Sequence, residues 1–210
     1  MAELKIPYLK ELKSGIPEAL RHKLMTQGVA ISVEKINWPE YPHQPETKVW
    51  AGYNNSYLFL HFNVKEDYIR AAGRNDQDPV WQDTCVEFFI SVGKHYRNFE
   101  FNCLGVCLSA IGPDRYSRTP LETGNLTKII RYASLNRNNV PVEESRENWS
   151  LSVGIPMELI ELTPGKKFRC NFYKCGDKTK VPHYVSWAPI GVATPDFHRP
   201  EWFGEAQLGY

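Results

Sequence analysis

Short runs in which apolar and polar side chains alternate recur along most of this chain, and they limit its fold more than any other feature. The clearest is Trp149-Ser-Leu-Ser-Val-Gly-Ile-Pro156, with Trp149, Leu151, Val153 and Ile155 on one face. A repeat of two belongs to a strand and not to a helix. Residues 57–64 repeat it, with Leu58, Leu60, Phe62 and Val64 opposed to Tyr57, Phe59, His61 and Asn63. Further candidate strands occupy 29–33, 48–53, 85–92, 96–102, 106–111, 129–135, 167–174 and 203–208. They are rich in β-branched and aromatic residues. Turn residues separate them, as at Asn54-Asn-Ser56 and Gly93-Lys-His95. Helix is expected in a short segment from Pro17 to about Met25 and as a single turn at 157–162. At least nine strands, short turns and no internal repeat predict an all-β fold: an antiparallel two-sheet β-sandwich, jelly-roll-like, with a short N-terminal helical segment. No linker divides the sequence, so residues 1–210 read as one domain.

The net charge of +1 provides no field for nucleic acid, and there is no basic run interleaved with aromatics. No apolar run is long enough to span a bilayer, so membrane insertion is not expected. The first thirteen residues lack the apolar segment of a signal peptide, which reads as cytoplasmic unless a precursor was trimmed. Five cysteines at irregular spacing argue for reduced thiols, although Cys103 and Cys107 could meet across a turn. The cysteines and six histidines do not fall at zinc spacings, and no metal ligand is expected from them. Calcium is conceivable only in the loops with Asp76, Asp78 and Asp114, which read first as solvated turn residues. No cofactor is expected.

The stretch Asp78-Pro-Val-Trp-Gln-Asp-Thr-Cys-Val-Glu-Phe-Phe-Ile90 holds the most chemistry. Asp-Pro opens it as a turn, and it closes as a strand. Val86, Phe88 and Ile90 point to a core; Cys85, Glu87 and Phe89 point the other way. Glu87 is thus a carboxylate within an apolar strand, six residues after the indole of Trp81, and must be hydrogen-bonded or face water. The next strand carries Asn98, Glu100 and Asn102 on one face, and a hairpin would lay this stripe beside Glu87. Arg169 and Asn171 share a face of a third strand.

Enzyme motifs are missing: no Gly-rich phosphate loop, no Gly-x-Ser-x-Gly and no His-Glu-x-x-His. Binding fits better. A pyranose presents an apolar face, which an indole covers, and a belt of hydroxyls, which carboxylates and amides bond. Of the six tryptophans, Trp81 at the mouth of the polar strand and Trp187 after another strand are the two candidates for stacking.

The run Val80-Trp-Gln-Asp-Thr-Cys-Val-Glu-Phe-Phe-Ile90, followed by Phe99-Glu-Phe-Asn102 and Gly105, resembles the central signature of family 9 carbohydrate-binding modules. The strand 58–64 with Glu66, then Asn171-Phe-Tyr-Lys174, Ser186-Trp-Ala-Pro189 and His198-Arg-Pro-Glu-Trp-Phe-Gly204, agree with the compact bacterial branch of that family in order. The resemblance covers the chain from about residue 28. It implies a jelly-roll-like sandwich that binds a mono-, oligo- or polysaccharide without catalysis, the sugar held between two indoles. It implies Trp81 and Trp187 as the plates, with Glu87, Glu100, Asn102 and Asn171 bonding hydroxyls. Two alternatives stand beside it. One is a glycan-active enzyme using Glu87 and Glu100 as a carboxylate pair. The other is a haem-binding sandwich of a related superfamily, with His61, His183 or His198 as ligand. The sequence is silent on oligomeric state.

Overall fold

A computed structural model describes residues 3–10, 12, 15, 17–136, 138, 140–145 and 148–209. Ile16, just before the expected helix, and residues 137, 139, 146 and 147 of the polar loop lie outside the described residues. The strands in chain order are β1 (Leu4–Ile6), β2 (Val29–Val33), β3 (Lys35–Ile36), β4 (Glu46–Tyr53), β5 (Tyr57–Lys65), β6 (Tyr68–Arg70), β7 (Cys85–Val92) and β8 (His95–Asn102). They continue with β9 (Cys107–Gly112), β10 (Thr119–Pro120), β11 (Ile130–Ala133), β12 (Glu143–Ser145), β13 (Asn148–Pro156), β14 (Lys167–Cys175), β15 (Tyr184–Ser186) and β16 (Gly204–Leu208). Helix α1 spans Pro17–Gln27, and short helical turns occupy Thr123–Leu126 and Met157–Ile160.

One sheet runs β1-β16-β14-β7-β8-β9-β10, with β15 beside β14 and β3 beside β15. The second runs β11-β13-β5-β4-β2, and β12 pairs with β6 in a small ribbon. The long ladders are antiparallel; β1 joins β16 in parallel. The two sheets stack as a β-sandwich. Val86, Phe88, Phe99 and Phe101 of the first and Leu58, Leu60, Phe62, Leu151 and Val153 of the second are wholly excluded from solvent in one continuous core. Burying each such side chain contributes about 1.5–3 kcal/mol relative to leaving it in water. The alternation read from the sequence therefore names the core faces of β5, β7 and β13.

The two outer faces are used differently. On the second sheet Leu20 and Leu24 of α1, with Leu9 and Leu12, cover Phe59 in a separate apolar cluster. His61 faces the same way and is buried, its Nδ1 2.8 Å from Ser152 Oγ. On the first sheet the outer face mixes acidic and amide side chains with aromatic rings such as Phe89, Tyr96 and Tyr173. The β7–β8 turn at Gly93, with its φ of +60°, folds the two strands so that Glu87 stands opposite Glu100. The register of β14 adds Tyr173 beside Glu87 and Cys175 beside Cys85. Leu108 of β9 completes the row from the other side.

The expected strand at 129–135 is shorter, Ile130–Ala133. Strand β12 forms in a segment read as polar loop, because β6 supplies a backbone partner; pairing here outweighs intrinsic preference.

Candidate functional site

A cavity of about 420 Å³ opens on the outer face of the first sheet. This falls within the range usual for small-molecule sites. Its floor is the lateral row of Glu87, Glu100 and Leu108, with Cys175 on β14. Tyr184, the register partner of Cys175 on β15, extends the floor towards one wall.

Three segments distant in sequence build the walls. Gln77 and Trp81 come from the stretch before β7, where Val80–Gln82 forms a 3-10 turn that projects the indole. Arg115, Tyr116 and Arg118 come from the loop between β9 and β10. Pro195 to His198 close the far side. Tyr116 is 92% exposed and stands at the mouth, whereas Trp81 is only partly buried against the core. Ring faces and charged groups thus meet around one chamber.

The floor is tied together by hydrogen bonds. Arg118 Nη1 donates to Asn98 Oδ1 at 2.9 Å, and Asn98 Nδ2 donates to Glu100 Oε1 at 2.9 Å. Cys175 Sγ donates to Glu87 Oε1 at 3.0 Å. Glu100 Oε2 is buried without a hydrogen-bond partner among the described residues. Burial raises the carboxyl pKa of both acids: Glu87 well above the ordinary carboxylate range, Glu100 to about 7. The nearby Cys175 and Glu100 push Glu87 further in the same direction. Asp177, also on the wall, is pushed up to about 6, chiefly by burial. A carboxyl held in its protonated form can donate as well as accept, which suits a hydroxyl partner.

The six expected site residues separate into two groups. Trp81, Glu87 and Glu100 line the cavity together. Asn102, Asn171 and Trp187 do not. Asn102 is buried and fully engaged: Nδ2 donates to Gly73 O and Asp83 Oδ2, and Oδ1 accepts from the backbone N–H groups of Leu104 and Val106. Asn171 Oδ1 accepts from Ala188 N at 2.8 Å, and its Nδ2 donates to Ala188 O, which fixes the turn after β15. Trp187 meets the ring of Phe172 edge-on at 5.9 Å, and its ring covers Gly204. Phe172 is directly opposite Phe88 and faces the core, away from Glu87. The expectation of Trp81 and Trp187 as facing plates is therefore corrected: parity along β14 and β15 puts the second indole with the core side of the sheet.

Of the histidines considered as ligands, His198 alone lines the cavity, with Nδ1 2.8 Å from Tyr96 Oη. His183 is buried with Lys174 Nζ at 2.7 Å and Val181 O at 2.9 Å, and His61 lies under α1. Asp76 pairs with Arg131, and Asp78 and Asp114 each accept backbone N–H groups of their own turns. Arg115, Tyr116, Arg118, Asp177 and Tyr184 escaped the sequence reading. The dense cationic and aromatic content of the 112–118 excursion was the available signal.

The family model described as carbohydrate-binding family 9 matches residues 17–208. The chain belongs to carbohydrate-binding family 9. A protein from Bacteroides uniformis, provisionally described as carbohydrate-binding, is 33% identical to this family 9 chain over 98% of both, with a TM-score of 0.89. Two structures of a family 9 module from Caldicellulosiruptor kristjanssonii share the fold at 10% and 12% identity, with TM-scores of 0.61 and 0.60. One is in complex with glucose and the other with cellotriose; the alignments cover 100% and 99% of this chain and 97% and 94% of theirs. Among curated proteins nothing matches the family 9 chain. Membership carries carbohydrate binding as the general role, and the recognised signature coincides with the turn and strand that bring Trp81 and Glu87 to the cavity.

Proposed function

We propose that this family 9 chain is a non-catalytic module that seats one pyranose unit in the chamber over β7 and β8. The observation that carries the reading is that Trp81 is the one tryptophan among the described residues lining the chamber, and that it does so over the Glu87–Glu100 floor. In this reading the apolar sugar face lies on Trp81. Glu87 and Glu100 bond the hydroxyls, Tyr184 supports the ring's edge, and Arg115 reaches the mouth. The carboxyls rise side by side from one face of one hairpin. A glycosidase needs its two groups on either side of the scissile bond, so their placement favours holding a sugar over cleaving one. Glucose and cellotriose, bound by the Caldicellulosiruptor module, are the first ligands to try.

Calorimetric titration with glucose, cellotriose and a wider saccharide panel tests this. Stacking on an indole is worth about 1.5 kcal/mol beyond area, so Trp81→Ala should weaken binding about tenfold or more. Trp187→Ala, compared at matched fold content, should leave affinity within about twofold of wild type. Wild-type affinity in Trp81→Ala, or equal losses in both variants, overturns the assignment.

A further inference from the structure

We infer that the floor of the chamber is also a site for a thiophilic divalent cation, of the zinc(II) class, held by Cys85, Glu87 and Cys175. The sequence spacing hides it, because the ligands come from two strands far apart in the chain, with Cys175 ninety positions after Cys85. The ladder assembles it. Cys85 and Cys175 are register partners across β7 and β14, so both thiols leave the sheet on the same face. Glu87, two residues on, follows them to that face.

The ligating atoms of these three residues all lie within 4.8 Å of one another. Cys175 Sγ is 3.0 Å and Cys85 Sγ 3.9 Å from Glu87 Oε1. Tetrahedral zinc with bonds of ~2.3 Å to sulfur and ~2.0 Å to oxygen requires about 3.5 Å between such atoms. The two sulfur–oxygen separations bracket that figure, each within about half an ångström of it. All three residues are at least 98% buried, the condition in which a zinc–thiolate bond is protected from water.

Two further features point to a cation. Glu87 and Cys175 line the chamber, so three protein ligands would leave the fourth position facing it, the arrangement of open zinc sites. Glu100, opposite Glu87 and just as buried, presents Oε2 with no hydrogen-bond partner among the described residues. A ligand shell of two thiolates and one carboxylate keeps one negative charge beyond a divalent ion, and Arg115 and Arg118 of the wall stand ready to balance it. Binding releases the two thiol protons and the carboxyl proton to solvent; the cation stabilises the thiolates in their place. The open position then faces whatever oxygen the chamber holds.

The test is a titration of fully reduced, chelator-treated protein with cobalt(II), followed by zinc(II), without sugar. One equivalent of cobalt should produce sulfur-to-metal charge-transfer absorption in the near ultraviolet, and one equivalent of zinc should abolish it. Cys85→Ser and Cys175→Ser should each lower cobalt affinity about tenfold or more and weaken the band. Glu87→Gln should lower affinity while keeping the band, since both thiolates remain. Cys103→Ser, which removes a buried thiol elsewhere, serves as the folding control and should bind as wild type. Folded wild type with five titratable thiols and no charge-transfer band overturns the inference, as does an undiminished band in Cys175→Ser. Either result leaves the Trp81 sugar experiment untouched, because that experiment reads the loss of saccharide affinity on removing an indole and not the binding of a metal.

Discussion

Asn102 uses both ends of its amide inside the protein, bonding two backbone donors, one backbone acceptor and the Asp83 carboxylate. Asp83 in turn pairs with Arg70 and accepts from Ala72 N and Gly73 N. Asn102→Ala should therefore cost about 2–4 kcal/mol, read as a lower denaturant midpoint, because it strands several buried groups at once. A mere hydroxyl contact would cost affinity and spare stability. His61 makes a second case. Burial, aided by Arg21, lowers its pKa to about 4, so the folded chain resists protonating it while the unfolded chain does not. Its stabilising share is complete above about pH 6.5 and fades as the pH falls towards 4. Between pH 7 and pH 4.5, His61→Asn should lose about 2 kcal/mol less stability than wild type. Urea titrations at the two pH values check this. Equal losses would mean the imidazole is not held neutral by the fold. The chemistry of both residues is plain in the sequence. What their side chains touch is not, since a buried amide looks the same whether it bonds a loop or a ligand.

At the scale of elements, parity was legible and register was not. Alternation alone assigns Glu87, Glu100 and Asn102 to one face, and the short turn at Gly93 makes them neighbours. Nothing local reveals that Cys85 meets Cys175, or that β15 enters so that Trp187 falls in step with Phe172. The first depends on how strands ninety positions apart at that pair slide into alignment, and the second on the path of the loop between β14 and β15. The packing of Trp187 is itself testable. A Cβ on Gly204 would lie 2.6 Å from the indole, so Gly204→Ala must displace that ring. The expected cost is about 1–3 kcal/mol, with a changed near-ultraviolet circular dichroism signal. Saccharide affinity should change little, since the ring lies outside the chamber.

At the scale of the whole molecule, the sandwich was the most legible feature: long apolar stripes on β5, β7 and β13 leave two stacked sheets as the natural way to hide them. The roof of the site was the least legible. Loops carry no periodicity, and which of the two outer faces they shelter follows from topology. Here α1 occupies one outer face and the loops at 113–118 and 195–198 shelter the other. Because its walls begin at Gln77 and end at His198, the chamber exists only once most of the chain is in place. A saccharide lodged there would behave as a rivet through three otherwise independent stretches of backbone. At ten times its dissociation constant it would add about 1.4 kcal/mol to the folded state. That corresponds to a rise of about 3–5 °C in melting temperature for a chain of this size. Heating the protein against a shelf of sugars would then rank them without a label or a purified polymer, and the winning sugar would be the guest these distant loops were shaped to clasp.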